Sequence, residues 1–147
     1  VELPAEQVDM LALAEDVKEI LTPSAAEKDV KIDVTGNGFA IKGVRRMLQE
    51  IIYNLCDNAI KYNVPGGTVA IQVENNRLIV GDTGIGIPAE HKDRIFERFY
   101  RVDKSHSKAS GGTGLGLSIV KHAVAYHKAE IALESTPGKG TMITIQF

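Results

Sequence analysis

The stretch over about residues 43–62 has the hydrophobic spacing of a helix and carries an unusual set of polar side chains on one side. Glu50, Asn54 and Asn58 follow one another at intervals of four residues, which places them along one stripe. Asparagine is a poor helix former, so two of them on one stripe need a reason. Amide oxygens can help to hold Mg²⁺ beside phosphate, with Lys61 offsetting the phosphate charge. A solvated polar face is the alternative interpretation.

A second candidate group lies in the glycine-rich segment VGDTGIGIP, residues 80–88. Asp82 ends a predicted strand, where a rigidly held carboxylate could accept a hydrogen bond from an exocyclic amine such as that of adenine. Gly84 and Gly86 lack side chains, so a flat ring could approach the backbone closely. A turn that merely leaves a strand is the alternative.

A third segment, GGTGLGLSIVK over residues 111–121, is a glycine loop that leads into a predicted helix. Backbone N–H groups at a helix N-terminus attract phosphate, and Gly112, Gly114 and Gly116 would let such donors converge on one anion. The segment is neither a Walker loop, which needs a lysine after its last glycine, nor a dinucleotide-binding pattern, whose third glycine is missing. A flexible linker is the alternative.

Aromatic and basic residues alternate in RIFERFYRVD, residues 94–103. Phe96 and Phe99 could plug a core, or the segment could belong to a lid from which Arg101 reaches a phosphate. The surrounding stretch, about 83–113, is rich in glycine, serine and lysine. Long segments of this kind in a compact domain are usually functional lids.

The hydrophobic pattern predicts the elements that must hold these candidates. Helices are predicted over about 9–28, 43–62, 90–97 and 115–127. Pro23 falls near the end of the first of these, where a proline kinks or ends a helix. Strands are predicted over 30–34, 38–42, 68–74, 77–82, 130–135 and 140–147. Helices and strands do not alternate regularly, which favours a two-layer α/β sandwich with a mixed, mostly antiparallel sheet covered by helices on one face.

Length and composition suit one domain over residues 1–147, with 44% hydrophobic and 24% charged residues. The net charge of -2 gives no electrostatic argument for nucleic acid or an anionic membrane. A single cysteine, Cys56, excludes an internal disulfide, and the four histidines show no metal-binding spacing. We expect His122 and His127 to be surface residues.

The four segments, taken in chain order, resemble the N box, first glycine box, F box and second glycine box of sensor histidine kinases. The matching stretches are NLCDNAIKY (54–62), DTGIGIP (82–88), RIFERFYRVD (94–103) and GTGLGLSIVK (112–121). The match extends over about residues 5–147. It implies the Bergerat ATP-binding fold, which gyrase-type, chaperone and mismatch-repair ATPases share.

The resemblance also implies cofactors, ATP and Mg²⁺, and a role for each matching residue. Asn54 and Asn58 would bind Mg²⁺, while Lys61 and Arg101 would contact phosphates. Glu50 aligns with a position that orients water in hydrolysing relatives and that would assist the histidine in kinases.

On the nucleoside side, Tyr62 would line the pocket and Asp82 would accept the adenine amino group. The other nucleotide contacts implied by the resemblance are Gly84, Gly86, Ile87, Gly112, Thr113, Gly114, Leu115 and Gly116.

The phosphoacceptor histidine of such kinases lies upstream in a helical dimerisation segment, in a motif like SHELRTPL, and nothing here matches it. We therefore expect a catalytic module cut from a longer, membrane-bound bacterial sensor kinase and located in the cytoplasm. Its partners would be the parent's dimerisation domain and, through the parent, a response regulator. Neither nucleic acid nor membrane contact is expected.

Three alternatives stay open at this point. The chain could be an ATP-hydrolysing clamp of the gyrase or chaperone type, with Glu50 as the base that orients water. It could be a non-enzymatic module in which bound nucleotide changes a partner interface. It could also be a protein-serine kinase of the anti-sigma type.

Overall fold

The computed structural model describes residues 4–86 and 116–147. The elements are β1 (Glu6–Asp9), α1 (Met10–Glu27), β2 (Lys31–Thr35), β3 (Ala40–Gly43), α2 (Arg45–Lys61), β4 (Thr68–Glu74), β5 (Arg77–Asp82), α3 (Gly116–Tyr126), β6 (Glu130–Thr136) and β7 (Gly140–Gln146). The short helix predicted near 90–97 lies outside the described residues. Within the described part, no helix is long and apolar enough to cross a membrane.

Five strands form the main sheet in the order β2-β4-β5-β7-β6. The β2–β4 pairing is parallel and the other three are antiparallel. The side chains of Ile71, Val80 and Ile143 form a paired row on one face of the sheet, where they are buried. The helices pack on that face, so the structure confirms the predicted sandwich.

Both strands of the predicted hairpin, 68–74 and 77–82, agree with the structure at each end. Among the described residues, the other predicted elements agree within two residues at each end. Asn75 and Asn76 have φ angles of 54° and 58°, as a tight turn between β4 and β5 requires. Pro23 lies inside α1, which continues to Glu27 although proline removes one helical hydrogen bond.

The strand β1 was not predicted from the sequence. It pairs antiparallel with β3 in a separate two-stranded sheet, with Val8 opposite Ile41. Val8 is the one buried residue of this strand, so the sequence offers no alternation to detect.

The hydrophobic core lies between the main sheet and the three helices. Its largest fully buried side chains are Met10, Leu21, Leu48, Ile51, Ile52, Ile60, Ile71, Leu78 and Ile145. Because α2 contributes a broad apolar face to this core, its asparagine stripe is left at the edge of that face.

Candidate functional site

Asp82, the last residue of β5, is held between two neighbouring strands. Its backbone lies opposite Val69 of β4 and Thr141 of β7. Its Oδ1 accepts hydrogen bonds from the N–H groups of Gly84 at 2.8 Å and Thr141 at 3.3 Å. Since Asp82 occupies the same face of the sheet as Val69, the carboxylate lies on the side that the helices cover.

The environment of Asp82 perturbs its carboxyl group and satisfies only part of it with hydrogen bonds among the described residues. Burial raises the pKa of this group above its ordinary value, and the hydrogen bonds from Gly84 and Thr141 lower it by less. Among the described residues, both of its hydrogen bonds are made by Oδ1, and Oδ2 has no donor there. Perturbed groups of this kind are frequent at functional sites.

Gly84 and Gly86 are required by the packing of the chain itself. A Cβ at Gly84 would collide with the carbonyl oxygen of Tyr62, and one at Gly86 with that of Thr136. Between them, the N–H of Ile85 donates to the Tyr62 carbonyl at 3.0 Å. The segment after Asp82 is therefore tied to the end of α2 and to the β6–β7 turn, which explains both glycines without a bound ring.

A polar network beside Asp82 was missed in the sequence. The Thr83 hydroxyl donates to Asn63 Oδ1 at 3.2 Å and accepts from the N–H of Thr68 at 2.9 Å. Asn63 Nδ2 donates to the Thr68 carbonyl at 2.9 Å. Gly67 leaves space for this network, since a Cβ there would collide with Asn63. The network holds the residue after Asp82 against the end of α2, and no sequence pattern indicates it.

The asparagine stripe of α2 meets the first residue of α3. Asn54 Nδ2 donates to the Glu50 carbonyl at 2.7 Å. Since a carbonyl oxygen can only accept, this bond identifies Nδ2, and Oδ1 is the amide atom that takes no part in it. A Cβ at Gly116 would lie 3.2 Å from Asn54 Oδ1 and 3.5 Å from Asn58 Nδ2.

This arrangement suits a cation bound together with a phosphate. The amide oxygen of Asn54 is a hard ligand of the kind that Mg²⁺ takes, and Mg²⁺ usually binds through few protein groups plus substrate phosphates. A helix that begins beside that oxygen adds a partial positive charge and N–H donors for an anion. At this edge of α2, the Oδ1 atom of Asn54 suits the predicted magnesium site. Asn58 faces Gly116 with its amide nitrogen, so its role as a magnesium ligand stays a prediction.

The charged candidates on α2 are both in ion pairs. Lys61 Nζ lies 2.8 Å from Asp57 Oδ2, and the side chains are only 24% and 23% exposed. Glu50 Oε1 lies 2.7 Å from Arg46 Nη1, in a pair whose arginine is 68% exposed. A phosphate would thus compete with Asp57 for the lysine.

Tyr62, the C-cap residue that follows α2, is 36% exposed, and its role in lining the nucleotide pocket stays a prediction. The remaining predicted contacts lie outside the described residues, and their roles stay predictions. They are Ile87, Arg101, Gly112, Thr113, Gly114 and Leu115.

The prediction of two surface histidines was half wrong. His122 is exposed, but His127 is partly buried between α3 and the start of α2. The N–H of Val44 donates to His127 Nε2 at 3.1 Å. The contact joins residues that are far apart in the chain, so a local sequence pattern could not reveal it.

Three comparisons with known proteins each match this chain to histidine kinases or to the ATPase family that includes them. The profile of the family described as histidine kinase-, DNA gyrase B-, and HSP90-like ATPase matches residues 43–147. The sensor histidine kinase YkoH of Bacillus subtilis is 36% identical over 148 residues, which cover 99% of this chain and 32% of that protein. The solved structure of the mycobacterial sensor histidine kinase MprB superposes with a TM-score of 0.82 at 29% identity, covering 97% of this chain and 95% of the other.

Full-length ShkA in complex with AMPPNP superposes with a TM-score of 0.80 at 27% identity, covering 99% of this chain and 31% of the other. This chain therefore spans about a third of the length of YkoH and of ShkA.

Proposed function

This chain belongs to the histidine kinase-, DNA gyrase B- and HSP90-like ATPase family, and we propose that it binds Mg-ATP and donates the γ-phosphate to a histidine on a separate helical domain. It would thus be the catalytic domain of a histidine protein kinase. YkoH and MprB are sensor histidine kinases, and ShkA was solved in complex with AMPPNP. Both facts support the proposal.

One observation carries the proposal: α2 connects a carboxylate suited to a base with an amide edge suited to a triphosphate. At its C-terminal end, the Tyr62 carbonyl binds the segment that follows Asp82. Two turns earlier, Asn54 Oδ1 faces the start of α3. At 1.5 Å per residue, Asn54 and Tyr62 are about 12 Å apart along the helix. A nucleotide can therefore lie along α2 with its base at one end and its phosphates at the other.

Phosphoryl transfer asks the protein mainly for positioning and charge stabilisation. Asp82 Oδ2 would accept a hydrogen bond from the adenine amino group and so orient the base. Asn54 and Asn58 would hold Mg²⁺, which neutralises charge on the phosphate oxygens when it is bound. Lys61 would exchange Asp57 for a phosphate oxygen, and Arg101 is proposed to approach the γ-phosphate.

The acceptor and the signalling context belong to the same proposal. We infer that the histidine lies on a dimerisation domain of the parent protein and that a response regulator receives the phosphate. The parent would be a bacterial sensor kinase that presents this domain to the cytoplasm. The support is that YkoH is a sensor histidine kinase of the bacterium Bacillus subtilis and is about three times as long as this chain.

The experiment mixes the purified chain with a separate dimerisation domain that bears the histidine, together with ATP labelled in the γ-position. We expect an acid-labile phosphate on the partner, and no label when its histidine is replaced by alanine. The Asp82→Ala variant of this chain should transfer little phosphate. Rapid ATP hydrolysis by the chain alone, without transfer, would refute the proposal and favour a hydrolysing clamp.

A further inference from the structure

The helix α2 begins without a capping side chain of its own. Its N-cap residue is Val44, which has no hydrogen-bonding side chain. The N–H of this residue instead donates to Nε2 of His127 at 3.1 Å. A residue at the end of α3 therefore supplies an acceptor to the start of α2.

The contacts of the His127 ring determine its protonation. Nδ1 lies 2.8 Å from the carbonyl oxygen of Ala123, one turn earlier in α3. Because a carbonyl can only accept, Nδ1 must carry the proton of this bond. Because Nε2 accepts from Val44, it must be unprotonated. Together these two bonds select the tautomer with its proton on Nδ1.

The backbone around His127 holds the ring in place. Lys128 has a φ of 56°, and the N–H groups of Lys128 and Ala129 donate to the carbonyls of Ala125 and Val124 at 3.0 Å each. This is the left-handed C-terminal cap in which two bonds close the end of a helix. The cap fixes the backbone of His127, and the bond from Nδ1 to the Ala123 carbonyl fixes the orientation of the ring.

The residue before Val44 is shaped to receive the ring. A Cβ at Gly43 would lie 2.8 Å from both Cδ2 and Nε2 of His127. Contacts that short are not tolerated, so the ring occupies space that any other residue at this position would fill. Gly43 is itself buried at the end of β3, so the His127 ring packs closely against the backbone just before α2.

We propose that His127 is a positioning residue that locks α3 against α2 and thereby keeps Gly116 on the asparagine stripe. The two helices run antiparallel, since Gly116 lies against Asn54 and Asn58 while His127 reaches Val44. A helix of 11 residues is a rod of about 16 Å, so fixing its end also fixes its beginning. The role in binding rests on the proposed function, whereas the lock itself does not.

The first test measures the tautomer of His127 in the whole folded chain by nitrogen-15 NMR at mildly alkaline pH. The structure requires the proton on Nδ1 and none on Nε2, which is the opposite of the tautomer that a free histidine side chain prefers in water. Hydrogen exchange of the Val44 amide should also be slow in the wild type. A proton on Nε2 would overturn the lock, and this result needs no nucleotide.

The second test compares affinities for Mg-ATP and for adenosine by calorimetry. We expect His127→Ala to weaken Mg-ATP binding about fivefold to tenfold, the value of one lost hydrogen bond, and to change adenosine binding less than about twofold. His127→Gln should restore most of the Mg-ATP affinity, because its amide oxygen can accept from Val44. The matched control, His122→Ala, alters an exposed residue of the same helix and should have no effect.

The outcomes separate the two proposals. A wild-type chain that binds no Mg-ATP refutes the proposed function. If the wild type and a folded His127→Ala variant bind Mg-ATP with equal affinity, the positioning role alone is refuted. An affinity of His127→Gln for Mg-ATP as low as that of His127→Ala refutes it as well. If the alanine variant does not fold, the glutamine variant and the tautomer still decide.

Discussion

Gly116 lies so close to Asn54 that a Cβ placed on the glycine would come within 3.2 Å of Oδ1 of that asparagine. The first residue of α3 thus lies directly against Oδ1 of Asn54, the amide atom that takes no part in the bond to Glu50. This contact joins the end of one glycine-rich segment to the helix that carries the predicted magnesium ligands. Its closeness leaves no space for a methyl group unless the amide moves.

Replacing Gly116 with alanine should separate binding from stability. Alanine favours a helix over glycine by up to about 1 kcal/mol, so the free energy of unfolding should stay equal or rise. The added methyl displaces Asn54 Oδ1, so the affinity for Mg-ATP should fall about tenfold. Calorimetry and urea unfolding measure both quantities.

The matched control is Gly81→Ala, since a Cβ at this position of β5 would meet nothing within 4 Å in the part of the chain that the structure describes. It should leave the affinity for Mg-ATP unchanged. Equal affinity of the Gly116→Ala variant and the wild type would show that the contact with Asn54 does not matter for binding.

Asp82→Asn should remove base recognition with little change in shape. The amide oxygen can still accept from Gly84 and Thr141, but the amide nitrogen presents donors where the adenine amino group needs an acceptor. Hydrogen bonds to charged groups contribute about 1.5–3 kcal/mol, so affinity should drop about tenfold to hundredfold. Adenosine and Mg-ATP should lose the same factor in titrations, and a loss confined to Mg-ATP would contradict the role in base binding.

The same substitution should stabilise the protein without ligand at neutral pH. The folded state raises the pKa of Asp82, so its contribution to stability is present at low pH and is lost as the pH rises through the raised value. The wild type therefore carries an unfavourable charge at neutral pH that asparagine lacks. In urea unfolding, the free energy of unfolding of Asp82→Asn should exceed that of the wild type at neutral pH, and the difference should become smaller in acid. An advantage independent of pH would rule out this explanation.

Local patterns were sufficient for most of the fold. The hairpin closed by Asn75-Asn76 defined β4 and β5, and the helical period placed Glu50, Asn54 and Asn58 on one stripe. The resemblance to histidine kinase ATP-binding domains is confirmed by the family profile over residues 43–147. These features follow from nearby residues or from an ordered series of motifs, so they can be read without coordinates.

The contacts that complete the site could not be predicted. Gly84 is required because of the Tyr62 carbonyl, and the Val44 amide is satisfied by His127, in both cases by a distant part of the chain. Such pairs depend on how elements pack, and one sequence contains no periodic signal for them. The short strand β1 was missed for the same reason, since its existence depends on pairing with β3.

Lys61→Met should weaken binding of the phosphates but not of the nucleoside. Loss of a charged hydrogen-bond donor to phosphate should lower the Mg-ATP affinity about tenfold to hundredfold, while adenosine affinity stays the same. Methionine keeps the length and apolar stem of the side chain. Titration with both ligands measures this, and an equal loss for adenosine would contradict the assignment.

Asp57→Asn should have the opposite effect on binding. It removes the carboxylate 2.8 Å from Lys61 Nζ, which frees the lysine and deletes a negative charge near the triphosphate. We expect Mg-ATP affinity equal to or above that of the wild type, with a loss of up to about 1 kcal/mol in the free energy of unfolding. If this variant bound Mg-ATP as weakly as Lys61→Met, Asp57 would instead be needed to orient the lysine.

The buried thiol of Cys56 should make the protein less stable in alkali. Burial, with a smaller effect of the Asp57 charge, raises the pKa of this thiol from 9.0 to about 12. Between these values the unfolded chain loses the proton and the folded chain keeps it, so each pH unit should cost up to about 1.4 kcal/mol of unfolding free energy. Urea unfolding is measured at neutral pH and again between pH 9 and 12. The free energy of unfolding should fall more for the wild type than for Cys56→Ala between the two conditions, and equal falls would contradict the prediction.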